Sequence, residues 1–244
     1  MKRFILLLMM ICFAVNVSAV WSDAATRKFI YEMQKASDPG NVGRNIKTLQ
    51  MTADTTVLKL NIKIQSKSYF KFPDKIRYET NVAAMQNSTI YFDGSKGFKV
   101  DSLAGVMPLE GLMLEEYKLA GKMSNPAITL DKIFDKIEIA DAPELYKGKK
   151  YIALTGSFTP DKKIPQWKIL VDPKTKLPVY IFRKVISEMG MIDSITHNIG
   201  FKKMNGLIVP VHIVQDTMNM QLETRVKTFI VNKKIVDSFF EYKE

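Results

Sequence analysis

From Val57 to Phe72 the sequence VLKLNIKIQSKSYFKF alternates with a period of two. Leu58, Leu60, Ile62, Ile64, Ser66, Ser68, Phe70 and Phe72 fall on one face, and Lys59, Lys63, Lys67 and Lys71 fall on the other. That period predicts a half-buried strand and excludes an amphipathic helix, whose apolar positions recur every three or four residues. Read as one strand it would extend about 50 Å, far beyond the usual five or six residues. A ribbon that long twists and coils, so its oily face must curl around something.

The alternation persists along most of the chain. Strands are expected at 46–55, 76–82, 88–92, 97–101, 151–158, 167–171, 179–186, 194–201, 207–216, 221–231 and 235–240. Turn chemistry separates them: Phe72-Pro73-Asp74-Lys75, Asp93-Gly94-Ser95-Lys96, Asp172-Pro173-Lys174-Thr175, and Asn205-Gly206, the strongest hairpin signal. Helical spacing occurs at 22–36, through Ala25, Phe29, Met33 and Ala36, and at 108–122, through Leu109, Leu112, Met113, Glu116, Tyr117 and Ala120. Leu130 to Ile137 reads as a short helix or as extended chain. No strand-helix-strand alternation occurs, which argues against a doubly wound parallel sheet. The expected fold is α+β, mainly β: a single highly curved antiparallel sheet, an incomplete barrel, with the helices plugging its concave face. Strands 179–182 and 207–214 are apolar on both faces, so a helix or a ligand is expected against the second face there.

The N-terminus has the pattern of a removable export signal. Met1-Lys2-Arg3 precedes an apolar run from Phe4 to Val15, and Val17-Ser18-Ala19 offers a cleavage site. Residues 1–19 are therefore expected to be removed, leaving 20–244 as one domain. Cleavage takes away Cys12, the single cysteine, so the mature chain relies on its core and points to a bacterial periplasm. The formal charge of +11 falls by Lys2 and Arg3 to +9, which suits anionic headgroups better than nucleic acid in that compartment. The lysines spaced along strand faces read most plainly as solvated exterior that deters sheet aggregation. Lys59, Lys63, Lys67 and Lys71 could also face a membrane surface.

Several segments resemble the outer-membrane lipoprotein-sorting proteins, the LolA-like group. These are Phe72-Pro73-Asp74-Lys75-Ile76-Arg77-Tyr78-Glu79 with Tyr91-Phe92-Asp93-Gly94-Ser95-Lys96-Gly97-Phe98, and Leu170-Val171-Asp172-Pro173-Lys174-Thr175-Lys176-Leu177-Pro178. Val226 to Phe240 resembles that family's closing strand pair. The resemblance implies an incomplete barrel with helices in its mouth, and a periplasmic carrier that holds acyl chains in a hydrophobic cavity. Its cargo would be lipoprotein acyl chains or a lipid, with membrane-bound donor and acceptor proteins, peripheral membrane contact, and transfer toward the outer membrane. The alternative is a non-catalytic envelope interaction or sensor module of the same fold, partnering a protease or signalling regulator.

The expected cavity wall comprises Leu58, Leu60, Ile62, Ile64, Tyr78, Ile90 and Phe92 from strands, with Met107, Leu112, Met113 and Tyr117 around the inserted helix. Trp167, Met218 and Met220 complete it. Methionine is unbranched and polarizable, which suits an adaptable acyl site, although the same residues serve equally as core filler. Leu103, Gly105 and Val106, in a small-residue stretch before that helix, read as a lid or as a plain connector. No catalytic or metal-binding set is legible. His197 and His212 lack partners at ligand spacing, and there is no nucleophile elbow or phosphate loop. No cofactor and no enzymatic activity are expected.

Overall fold

A computed structural model describes residues 23–82, 85–187 and 190–243; the expected export signal lies outside them. Helix α1 (Ala24–Ser37) opens the fold, with Asp23 as its N-cap accepting from the Thr26 amide at 2.6 Å. Strands β1 (Thr48–Val57), β2 (Ile62–Lys71), β3 (Lys75–Val82), β4 (Gln86–Phe92), β5 (Gly97–Asp101) and β6 (Gly105–Pro108) follow as a meander. Helix α2 (Gly111–Ser124) is inserted next. The chain resumes with β7 (Lys136–Ile139), β8 (Glu144–Tyr146), β9 (Lys149–Ser157), β10 (Trp167–Val171), β11 (Pro178–Ser187), β12 (Gly190–Met204), β13 (Leu207–Thr217) and β14 (Met220–Val231). All fourteen belong to one antiparallel sheet, ordered β6-β5-β4-β3-β2-β1-β14-β13-β12-β11-β10-β9-β7, with β8 paired beside β9. The sheet does not close into a barrel, and both helices lie on one face, called the inner face below.

The long ribbon of 57–72 is a correction. Val57 pairs with Ile62, and residues 58–61 reverse the chain, with Asn61 at φ +52°. Leu58 and Leu60 happen to keep the parity of β2 through the turn, so alternation alone did not reveal the break. The strand expected at 235–240 is a second correction. Asn232, at φ +57°, ends β14, and Asp237–Phe240 is a short 3-10 turn lying across the outside of β2 and β3. The expected lid stretch forms the β5–β6 hairpin at the sheet edge. Residues 130–137 split into a 3-10 turn (Leu130–Lys132) and the start of β7.

Two inner-face clusters form the core. One joins Phe29, Ile30 and Met33 of α1 to Ile137, Leu154, Trp167, Ile169 and Val171. Gly156 belongs here because a Cβ would lie 2.6 Å from the Phe134 ring. The other joins Ile46, Leu49, Phe70, Ile76, Phe92, Leu207 and Phe229.

The two-sided apolarity of β11 has a structural cause. Tyr180 and Phe182 point outward, where Tyr146 of the β8–β9 hairpin packs edge-on at 4.8 and 5.3 Å. His197 stacks on Tyr180 at 4.2 Å in this outer cluster. Burial, reinforced by Lys147, lowers its pKa below the ordinary value of about 6.5. The native state therefore binds fewer protons than the unfolded chain below about 6.5, and stability falls as pH drops through the depressed native value. His197→Phe keeps the stack and removes the titration. Urea midpoints of the variant should change less on acidification than those of the parent.

Candidate functional site

Between the two inner clusters lies a cavity of about 420 Å³, within the range of about 300–1,000 Å³ usual for ligand pockets. Its floor is the inner face: Leu49 and Met51 of β1, Phe70 of β2, Ile181 of β11, Ile213 of β13, and Val226 and Phe229 of β14. Its roof is Ile30 and Met33 of α1, Met123 in the last turn of α2, and Ile128 and Leu130 after that helix. Polar lining is confined to the roof, at Gln34, Ser37, Asp38, Ser124, Asn125 and Thr129. Asp38 is the single ionisable residue in this lining, and its two oxygens accept from the Val42 and Gly43 amides, each at 2.8 Å. Asn125 likewise accepts from the Ala127 amide at 3.0 Å. Both side chains tie chain turns together. Gly43 is required at this junction because a Cβ would meet the Pro126 carbonyl oxygen at 2.8 Å. Apart from Gln34, Ser37, Ser124 and Thr129 at the roof, what remains is an aliphatic, thioether and phenyl wall, suited to an unbranched hydrocarbon chain.

The sheet parts beside this cavity. Strand β13 is laddered to β14 only from His212↔Arg225 to Thr217↔Met220. Beyond Arg225, among the described residues, β14 ladders to β1 alone. Residues 207–211 thus hold β12 on one side and leave their other edge toward the cavity, where Leu207, Ile208, Val209 and Pro210 all contribute to its wall. Pro210 suits such an edge, since proline has no amide to donate. The Asn205 amide closes the gap at its far end, donating to the Phe229 carbonyl at 2.5 Å. Asn205 and Gly206, at φ +49° and +90°, form the expected two-residue hairpin turn.

None of the fourteen residues expected to line a cavity belongs to this lining. Ile62, Ile64, Tyr78 and Ile90 share the inner face farther along the sheet, where the register sets Tyr78 opposite Ile90. Burial raises the Tyr78 phenol, partly offset by its hydrogen bond with Ser66. Leu112, Met113 and Tyr117 sit half-buried on α2, and Met107 half-buried on the edge strand β6. Phe92 is fully buried and borders a second cavity, of about 340 Å³, with Leu119 and Ile133. Trp167 is core, edge-on to Phe134 and under the Arg183 guanidinium, which pairs with Glu116 at 2.6 Å. Leu58, Leu60, Met218 and Met220 are exposed at hairpins. Residues that do line the main cavity carried signals in the sequence through the two-sided apolarity of 179–182 and 207–214 and through the helix at 22–36, which contributes Met33. No cluster of three or more His, Cys, Asp or Glu that could hold a metal ion occurs among the described residues. No described helix is long and apolar enough to cross a membrane.

No protein-family model matches the sequence, and no curated protein matches it. Solved structures do match the fold. One is described as an outer membrane lipoprotein-sorting protein domain from Vibrio parahaemolyticus, at TM-score 0.55 and 10% identity, covering 86% of this chain and 94% of that one. A DUF1329 family protein from Desulfovibrio piger superposes at TM-score 0.57 and 11% identity, covering 89% and 97%. A LolA superfamily protein from Nitrosomonas europaea gives 0.56 at 9% identity, also covering 89% and 97%. Over nearly its whole described length, the chain has the fold of the LolA-like lipoprotein-sorting structures.

Proposed function

We propose that this chain is a non-catalytic periplasmic carrier, exported through residues 1–19, which are then removed, that holds the acyl chains of a lipid or lipoprotein for transfer toward the outer membrane. The observation that carries this reading is the cavity between α1 and β13/β14, whose walls are mostly apolar and whose single ionisable residue is committed to backbone amides. The likeness to a domain described as lipoprotein-sorting supports the same reading. Burying methylenes at about 0.8 kcal/mol each would offset the cost of ordering a long chain. A chain longer than the cavity would continue along the inner face toward Ile64 and Tyr78.

The test is to purify the protein from its native envelope and analyse bound lipid by mass spectrometry, alongside titration with a fluorescent fatty acid. Co-purified lipid together with saturable uptake is the expected result. Absence of both would overturn the carrier reading. A stoichiometric protein partner recovered without lipid would instead favour an interaction module built on the same fold.

A further inference from the structure

In a meander the hairpins alternate between the two ends of the sheet, and here the ends differ chemically. At one end the turns are Pro73-Asp74, Gly94-Ser95, Lys147-Gly148, Pro173-Lys174-Thr175 and Asn205-Gly206, with no large apolar side chain at their tips, although Leu145 is exposed on β8 beside one of them. At the other end, five hairpins stand in a row. Their order follows from pairing: Asp101 sits opposite Gly105, Val82 opposite Gln86, Val57 opposite both Ile62 and Leu222, Thr217 opposite Met220, and Ser187 opposite Gly190. Every one presents a large apolar side chain to solvent. Leu103 is 76% exposed on the β5–β6 hairpin, Met85 64% on β3–β4, and Leu60 59% beside Leu58 on β1–β2. Met218 and Met220 are exposed on β13–β14, and Met191 on β11–β12. With Val106 these make eight of the thirteen exposed large hydrophobics among the described residues. Scattered single exposures are ordinary on a soluble domain, but a row confined to one rim is not.

Backbone conformation at the tips points the same way. Met218 adopts φ +47° and Asn219 φ +60°, so a methionine occupies a turn position that ordinarily takes asparagine, aspartate or glycine. The Asp101 carboxylate accepts from the Leu103 and Ala104 amides at 2.9 and 3.1 Å, fixing the turn that presents Leu103. Leu58 and Lys59 tie the middle hairpins together through the Gln221 and Asn219 carbonyls, each at 2.9 Å.

We propose that this rim docks on a phospholipid bilayer, with the hairpin tips inserted at the boundary between headgroups and acyl chains. Neighbouring tips are two strands apart, so they stand about 10 Å from one another along a line of about 40 Å. Separate single-residue prongs on a line fit a planar fluid phase. A protein partner would instead call for a contiguous patch around a central pocket. The residues between the prongs are largely amides and hydroxyls, among them Asn61, Asn87, Ser102, Asn219 and Gln221. Lys59 and Lys63 flank the central hairpin, within reach of headgroup phosphates. This docking is independent of what the cavity holds.

Flotation with vesicles of phosphatidylethanolamine and phosphatidylglycerol tests it. The exported chain should float with the vesicles, and the variant L58S/L60S/L103S/M218S should bind at least tenfold more weakly while unfolding at the parent's temperature. Leu60→Trp and Met85→Trp should shift their emission to the blue on vesicles and be quenched by lipids brominated on the acyl chains. Lys174→Trp, at the opposite end, should do neither. Failure of the parent to float, undiminished binding of the quadruple variant, or equal quenching at position 174 would each overturn the proposal. So would a stoichiometric protein partner that the quadruple variant loses while vesicles bind neither form.

Discussion

Ile213→Trp should cut uptake of a fluorescent fatty acid at least tenfold while leaving the protein folded and no less stable. Ile213 lies on the inner face of β13 opposite Thr224, one residue inside the point where the β13–β14 ladder ends at His212, and its side chain lines the cavity. An indole there projects into empty space, so the overpacking penalty of about 1–3 kcal/mol expected in a filled core should not arise. Filling a void commonly raises stability by about 0.5–2 kcal/mol. The two readouts therefore move in opposite directions if the cavity is a binding site. A mere packing defect gives only the gain in stability. A tenfold loss corresponds to about 1.4 kcal/mol of binding free energy, well within what displacing two or three methylenes removes. Fluorescence titration and thermal unfolding of the same preparation measure both. Undiminished uptake would place the acyl chain elsewhere on the inner face, by Ile62, Ile64, Tyr78, Leu112, Met113 and Tyr117.

The period-two pattern of residues such as Ser66, Ser68 and Phe70 against Lys67 and Tyr69 was sufficient to place β2 and to choose its buried face, because burial follows side-chain parity directly. Parity does not report reversals. Leu58 and Leu60 continue the pattern of β2 through a turn, and only the left-handed conformation of Asn61 marks it. The same blindness produced the separate strand expected at 235–240, where Ile235 and Phe239 keep an alternating spacing beyond Asn232 but belong to a segment lying on the outer face. The cavity was harder to read for a different reason. Its wall is assembled from α1, β1, the end of α2 and the parted strands β13 and β14, which are far apart in sequence. No local pattern encodes which of several apolar strands will separate from its neighbour. Of the methionines on the inserted helix only Met123, near its C-terminal end, reaches the cavity, where Met33 and Met51 join it. Two strands apolar on both faces announced second packing surfaces: 179–182 meets the outer aromatic cluster around Tyr146, and in 207–214 residues of both parities line the cavity.

Phe240→Ala should lower stability by about 3–5 kcal/mol, the usual loss for a fully buried phenylalanine, and the thermal midpoint by about 6–20 °C for a domain of this size. Phe240 lies past the last strand, in a short 3-10 turn that no ladder holds, yet its side chain is completely buried. The segment that carries it is held to the outer face of β2 and β3 by several contacts. Phe239 packs edge-on against Tyr69 at 4.9 Å and lies 4.2 Å from the Arg77 guanidinium, whose Nη1 donates to the Phe239 carbonyl at 3.2 Å. Asp237 pairs with Lys71 at 2.8 Å and Lys75 at 3.4 Å, and Tyr242 packs on Phe98 at 5.4 Å. The Asp237 pairs are largely exposed, so Asp237→Asn should change the midpoint far less than Phe240→Ala. Circular dichroism melts of the two variants beside the parent decide this; equal midpoints for Phe240→Ala and parent would show that the segment rests on the sheet without supporting it. Acyl uptake well below the midpoint should survive Phe240→Ala. Tyr69 meets the C-terminal segment on the outer face of β2, whereas Phe70, the next residue, reaches the cavity from the inner face.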